Sequence, residues 1–139
     1  MKGLLLSGLL LASLGSFAQN CEEVAGLCEK LLQENTEKQF VSDGQVYSAF
    51  LDREKAEFKT TFYGGTTYRV AASAGERENY VIYTIKDPNG HVIFSNKNYK
   101  NAAYWDFKVA ETLPVTIEVG LDPDLKISGC VVMLIGFQK

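Results

Sequence analysis

The chain has 139 residues, 14 Lys and Arg against 17 Asp and Glu, a formal net charge of −3, and 46% hydrophobic residues. Neither sign forms a run or stripe, so the clustered cations that a nucleic-acid backbone requires are missing. Three Cys and a single His restrict metal and nucleophile–base chemistry to very few arrangements.

Residues 1–18 have the layout of a secretory signal. Lys2 supplies the charge, residues 3–14 form an apolar run, and Ser16-Phe17-Ala18 offers small residues at −3 and −1 of a cleavage site before Gln19. The run is shorter than the ~20 residues needed to cross a bilayer, and no later stretch is long enough. The expectation is an exported protein, periplasmic or extracellular, with no transmembrane anchor. Lipidation at Cys21 is not expected, because Asn20 rather than a small residue precedes it. Cleavage leaves about 120 residues with a net charge of about −4, the size of one domain with its own core. Residues 19–139 are therefore read as a single domain, with a helix over 19–40 and a β-sandwich over 45–137.

The helical reading rests on Cys21, Val24, Ala25, Cys28, Leu31 and Leu32, which recur at three- and four-residue spacing and make one apolar stripe. Asn20 is a suitable N-cap, and Glu22 and Glu23 suit the start of the helix dipole. Because the polar face is acidic, the stripe is expected to lie on the protein's own sheet rather than on a membrane.

From residue 45 the period changes to two. Val46, Ser48 and Phe50 open the first strand, and Asp52-Arg53-Glu54 turns it. Phe58, Thr60 and Phe62 alternate with charged and polar neighbours, and Gly64-Gly65 leads into residues 66–72, with Tyr68 and Val70 on one face. Residues 80–86 run into Asp87-Pro88-Asn89-Gly90, strong hairpin chemistry, and Val92 and Phe94 return from it. Trp105, Phe107 and Val109 form the next alternation, then Val115, Ile117, Val119 and Leu121. Residues 131–137 close the chain, apolar on both faces. A strand of that kind needs cover on both sides, so the helix is expected over the sheet that contains it. The fold class is all-β: an antiparallel β-sandwich, jelly-roll-like, of about eight strands with one N-terminal amphipathic helix. Residues 73–79 and 95–101 read as exposed polar loops.

The odd cysteine count implies one bridge and one free thiol in an exported protein. Cys21 and Cys28 are seven helical residues apart, about 10.5 Å along the axis, beyond the ~7 Å reach of a disulfide. A bridge must therefore use Cys130. Cys28–Cys130 is preferred to Cys21–Cys130, because Cys28 sits mid-stripe and Cys21 near a terminus.

Catalytic constellations fail on inventory. His91 follows a turn at a strand start, no Ser stands in a G-x-S-x-G context, and neither C-x-x-C nor H-x-x-x-H occurs. The pairs Asp52/Glu54, Glu76/Glu78 and Asp122/Asp124 all lie in polar turns, where solvated acids are ordinary. Asp122 and Asp124 are a weak calcium candidate, since a hard cation wants six or more oxygens. Trp105 follows the core phase, leaving Tyr99 and Tyr104, around the Asn-rich loop at 95–103, as candidate ligand-binding residues.

Three stretches resemble a known family. Gly64-Gly65-Thr66-Thr67-Tyr68-Arg69-Val70, the hairpin IYTIKDPNGHVIF over residues 82–94, and the paired strands WDFKVAETLPVTIEVGL over 105–121 resemble the pre-peptidase C-terminal type of small bacterial exported sandwich, and GOLD-type sandwiches show a similar hairpin. The likeness covers about 45–137. The chain departs from that pattern in its N-terminal helix, in lacking an attached protease, and in having Val115 where the pattern has Tyr. The resemblance implies a non-catalytic accessory or binding module and supplies no site residues. The sequence-based expectation is thus an exported, cofactor-free, non-enzymatic binding or accessory module of the bacterial envelope, for a glycan or an envelope protein. The alternative is a hydrolase acting on an envelope polymer, with Asp122 or Glu118 as the residues to test.

Overall fold

The computed structural model describes residues 21–75 and 79–138. The signal sequence, its cleavage site, the Asn20 cap and the Glu76/Glu78 pair lie outside these residues. Among the described residues a helix over 21–32, α1, is followed by nine strands: β1 (Val41–Ser42), β2 (Tyr47–Asp52), β3 (Ala56–Phe62), β4 (Thr66–Ser73), β5 (Val81–Lys86), β6 (Val92–Ser95), β7 (Tyr104–Val109), β8 (Leu113–Leu121) and β9 (Ser128–Gln138). One 3₁₀ turn, η1 (Asn96–Tyr99), joins β6 to the approach of β7.

The pairing is nested. β5 pairs with β6 across the Asp87–Gly90 turn, β4 with β7, β3 with β8, and β2 with β9, all antiparallel. Folding such a nested hairpin over itself gives two sheets, β2-β9-β4-β7 with β1 also on β9, and β3-β8-β5-β6. This is the jelly-roll order.

The sandwich core comes from the alternation. Tyr68, Val70 and Ala72 of β4 and Val131, Met133 and Ile135 of β9 meet Val81, Tyr83 and Ile85 of β5 and Val115, Ile117 and Val119 of β8. In β2 the inward residues are Tyr47, Ala49 and Leu51; Phe50 points outward and is exposed.

The two-faced pattern of β9 has the predicted consequence. Its other face, Cys130, Val132 and Leu134, packs with Ala71 of β4 against Val24, Cys28, Leu31 and Leu32 of α1. Those four positions are i, i+4, i+7 and i+8, the apolar stripe of the helix. Close approach continues past the helix: a Cβ on Gly136 would stand 3.0 Å from both Leu32 Cδ1 and Phe40 Cβ, so glycine keeps the chain tight against β9 there.

Arg69 fixes the C-terminal end of α1. It lies on the helix-facing side of β4 and is 1% exposed. Directly across the strand pair stands Asp106, with Nε 2.6 Å from Oδ1 and Nη2 3.1 Å from Oδ2. Nη1 donates to the Leu31 and Leu32 carbonyls at 3.2 Å each, and to that of Glu34. The last turn of a helix leaves carbonyls short of partners, and here only that of Leu31 also accepts a backbone N–H, from Glu34 at 3.2 Å. The guanidinium is stacked between the rings of Phe40 and Tyr104, 4.6 and 4.3 Å away. Gln33 holds Phe40 in place through two hydrogen bonds to its backbone, of 2.7 and 3.0 Å.

The disulfide joins Cys21, not Cys28, to Cys130, with Cα atoms 5.5 Å apart. The preference for Cys28 is thereby corrected. Both cysteines face the sheet, but α1 runs along β9 with its start over Cys130, so Cys28 lies further along. The Cys28 thiol donates to the Ala71 carbonyl at 3.2 Å and contacts the Val132 carbonyl at 3.6 Å. Its burial pushes the thiol pKa up to about 12. Two consequences follow for experiment. Unfolded, unreduced protein should show one titratable thiol, and native protein none at pH 8, because a nucleophilic thiolate does not form. In addition, below about pH 9 the thiol is protonated in both states, whereas above it only the unfolded chain loses the proton. Stability should therefore fall between about pH 9 and 12, by up to ~1.4 kcal/mol per pH unit for this group. The Tyr83 hydroxyl, also pushed up by burial, acts in the same direction. A urea midpoint that is flat from pH 8 to 11, or native protein that reacts with a thiol reagent at pH 8, would contradict this account.

Candidate functional site

The segment between β6 and β7 is built rather than loose. Asn96, fully buried, accepts from the Tyr83 N–H at 2.9 Å and donates to the carbonyls of Val81 and Ala102 at 2.8 and 3.0 Å. The Tyr83 hydroxyl donates to the same Ala102 carbonyl at 3.0 Å. Lys100 and Asn101 take left-handed φ values of 56° and 54° to reverse the chain, and the Asn101 amide donates to Asn79 O and Asp122 Oδ2. The exposed polar loop expected over 95–101 is therefore corrected at its two buried asparagines. Side-chain amides replace the strand ladder there, since a buried backbone polar group must find a partner.

On this support Tyr99 projects, half exposed, with its ring 5.6 Å from that of Phe94 and 4.4 Å from that of Trp105. Trp105 sits on the sandwich side of β7 at its edge, and with Phe94, Phe107 and Tyr99 closes the gap between the two sheets. Tyr104 is one residue earlier in the same strand and so faces the other way. It stacks on Arg69 and accepts from Asn35 Nδ2 at 2.9 Å. The two candidate tyrosines lie on opposite faces of β7 and do not form one platform.

The acidic candidates have structural partners. Asp122 Oδ2 accepts from Asn101 and Oδ1 from the Asp124 N–H at 3.0 Å, while Asp124 is exposed. Among the described residues no group of three or more His, Cys, Asp or Glu is arranged to hold a metal ion, so Asp122 and Asp124 gain no further ligand of that kind. Glu118 stands on the outer face of β8 between Lys55 and Lys86, each at 3.2 Å, and hydrogen bonds from these two lysines hold its pKa below the usual value. A glycosidase acid needs the opposite shift. Asp87 accepts from the N–H groups of Asn89 and His91, which shapes the hairpin; the His91 bond does most to lower its pKa. His91 Nδ1 lies 3.4 Å from Asp87 Oδ2, with the imidazole largely in solvent.

Sequence reading missed one surface feature. Between the free edges of β2 and β3, on the side of the sandwich away from Tyr99, two depressions of about 310 and 590 Å³ open into the gap between the sheets. The rings of Tyr47 and Phe58, stacked at 4.0 Å, stand between them. In sequence Val46 and Phe50 mark the apolar phase of β2, whereas in the fold both are exposed and Tyr47 is the inward residue.

No protein-family model matches the chain, and no curated protein does. Among solved structures the chain is similar to PliG of Aeromonas hydrophila, a periplasmic lysozyme inhibitor of g-type lysozyme: TM-score 0.52, 12% identity, covering 75% of this chain and 92% of that one. It is also similar, at a TM-score of 0.37 and 9% identity, to a de novo designed double-stranded β-helix, over 68% of this chain and 99% of that one. The first likeness supports the β-sandwich fold of a small module. No helix among the described residues is long and apolar enough to cross a membrane.

Proposed function

We propose that the protein is an exported, non-catalytic binding module that holds a protein partner through the surface around Tyr99. The observation that carries this reading is the exposed Tyr99 ring on its Phe94–Trp105 stack. A rigid aromatic anchor that is half in water gains most from being covered by a partner. Val92 and Ile93, both exposed, stand on the same edge strand as Phe94. Such aliphatic neighbours suit a protein better than a glycan, which wants hydrogen-bonding groups beside the stacked ring. Export is supported by the Cys21–Cys130 disulfide, which belongs to oxidising compartments, and by the signal pattern of residues 1–18. A bonded Cys21 thiol is also not free for lipidation. The fold shared with a lysozyme inhibitor supports a protein partner. The resemblance to pre-peptidase C-terminal modules supports the same accessory class. Against the hydrolase reading, Glu118 is held ionised by two lysines and Asp122 is engaged by Asn101.

A g-type lysozyme is the first probe. The expected result is a complex that Tyr99→Ala weakens by about 10- to 30-fold, as for an interface anchor, with thermal stability nearly unchanged. The protein itself should turn over no peptidoglycan. Binding undiminished in Tyr99→Ala would remove the surface from consideration. Peptidoglycan hydrolysis lost in a folded Glu118→Ala or Asp122→Ala variant would revive the enzyme.

A further inference from the structure

The two depressions between β2 and β3 differ in character and share one wall. The smaller, of about 310 Å³, has Tyr47, Ala49 and Phe58 at its mouth and the core residues Val131 and Met133 beneath. Its only charged lining residue among those described is Glu57, which like Lys59 alternates with Phe58 onto the outer face of β3. The larger, of about 590 Å³, begins on the other side of Tyr47, and its only charged lining residue among those described is Asp43. The nearest lysines are turned away: Lys55 is ion-paired with Glu118, and Lys59 alternates with Phe58 onto the outer face of β3. Both lips are strand edges. Among the described residues β2 and β3 each have one neighbouring strand, so each offers a free edge of backbone N–H and C=O groups along this side.

We propose that this cleft binds an extended segment of another protein that carries an apolar side chain and, two positions away, a basic one. The free edges supply main-chain hydrogen bonds, the mode by which extended peptides add to sheets. The apolar side chain enters the smaller depression and rests on Val131 and Met133. In an extended chain, residues i and i+2 share a face at about 6.6 Å, enough to cross the ring of Tyr47. The basic group then meets Asp43. Asp43, with no lysine or arginine among the lining residues described, disfavours anionic occupants such as phosphate, nucleic acid or acidic lipid. The cleft is separate from the Tyr99 surface, so this proposal and the proposed function fail independently.

The probe is a capped heptapeptide, Thr-Thr-Leu-Thr-Arg-Thr-Thr, with Phe or Trp replacing Leu in two relatives and Glu replacing Arg in a control. Backbone NMR of the disulfide-bonded protein is the readout. Amide shifts should concentrate in residues 43–58, and the Arg peptides should bind at least about 5-fold more tightly than the Glu control, with a preference that shrinks at high salt. Ala49→Trp, which fills the smaller depression, should weaken binding by about 10-fold or more. Asp43→Lys, at a partly buried turn where the carboxylate accepts from the Gln45 N–H at 2.9 Å and the Tyr47 hydroxyl at 3.5 Å, should reverse the preference between Arg and Glu even if Ala49→Trp fails to fold. The proposal is overturned by no shifts at about 1 mM peptide, by shifts confined to residues 92–104, by equal binding of Arg and Glu peptides, or by a folded Ala49→Trp that binds as well as the original.

Discussion

Replacing Arg69 with Ala is expected to lower stability by about 3–5 kcal/mol, the range for breaking a buried charged network by removing one partner. The loss has three parts of unequal weight. Asp106 is 46% exposed on its side chain, so its half of the ion pair is screened and it can return to water cheaply. Of the three carbonyls, that of Leu31 keeps the Glu34 N–H at 3.2 Å, whereas those of Leu32 and Glu34 lose their side-chain donor. Each unpaired buried group costs about 1–3 kcal/mol. Phe40 and Tyr104 also lose the planar group stacked between them. Asp106→Ala leaves the buried Arg69 charge without its carboxylate, but the guanidinium keeps its contacts with three carbonyls and two rings, so the loss should be smaller than for Arg69→Ala. Arg69→Lys should fall between, because one ammonium cannot serve a carboxylate and three carbonyls at once. Urea unfolding of the three variants gives the ranking. An Arg69→Ala variant within about 1 kcal/mol of the original protein would rule out this role, since a change that small is typical of surface positions.

Arg69 leaves little trace of its burial in its immediate sequence. Between Tyr68 and Val70 it occupies the polar slot of an alternating strand, and an alternating strand with one wet face is the ordinary case. What makes β4 different is the run Val70-Ala71-Ala72, small or apolar on both faces, which is the same signal that identified β9 as covered on both sides. Applied to β4, that rule would have buried Arg69 and required a carboxylate opposite. Asp106 is the residue that the strand register supplies. The nested strand order was less accessible. Each strand and the Asp87–Gly90 turn could be read from local pattern, but the pairing of β2 with β9 spans most of the chain and leaves no local trace. Asn96 and Asn101 were read as loop residues because burial of an amide depends on backbone groups that only the fold brings together. Likewise Tyr99 and Tyr104, five residues apart around a polar loop, could be taken for one patch. Only the resumption of alternation at Tyr104 puts them on opposite faces.

Loss of the Cys21–Cys130 bridge is expected to cost about 2–5 kcal/mol, since it closes a loop with a sequence separation of 109 and the chain-entropy treatment gives ~4.7 kcal/mol for a loop of about that length. Cys21→Ser should show this loss without reductant. The original protein should show it only when reduced, and reductant should then add nothing to Cys21→Ser. Cys28→Ser should respond to reductant as the original protein does, which separates the bridge from the buried thiol. The bridge holds the start of α1 and Arg69 holds its end, with Val24, Cys28, Leu31 and Leu32 buried between. Both anchors therefore resist the same event, the lifting of α1 from Val132, Leu134 and Ala71. Once either substitution allows that opening, the second has less left to release. The Cys21→Ser/Arg69→Ala pair should lose clearly less stability than its two members added together, although the anchors lie about 16 Å apart along the helix and distant sites usually add. Full additivity would mean that the two ends hold separate units. A Cys28–Cys130 linkage found by peptide mapping of unreduced protein would overturn the assignment of the bridge itself.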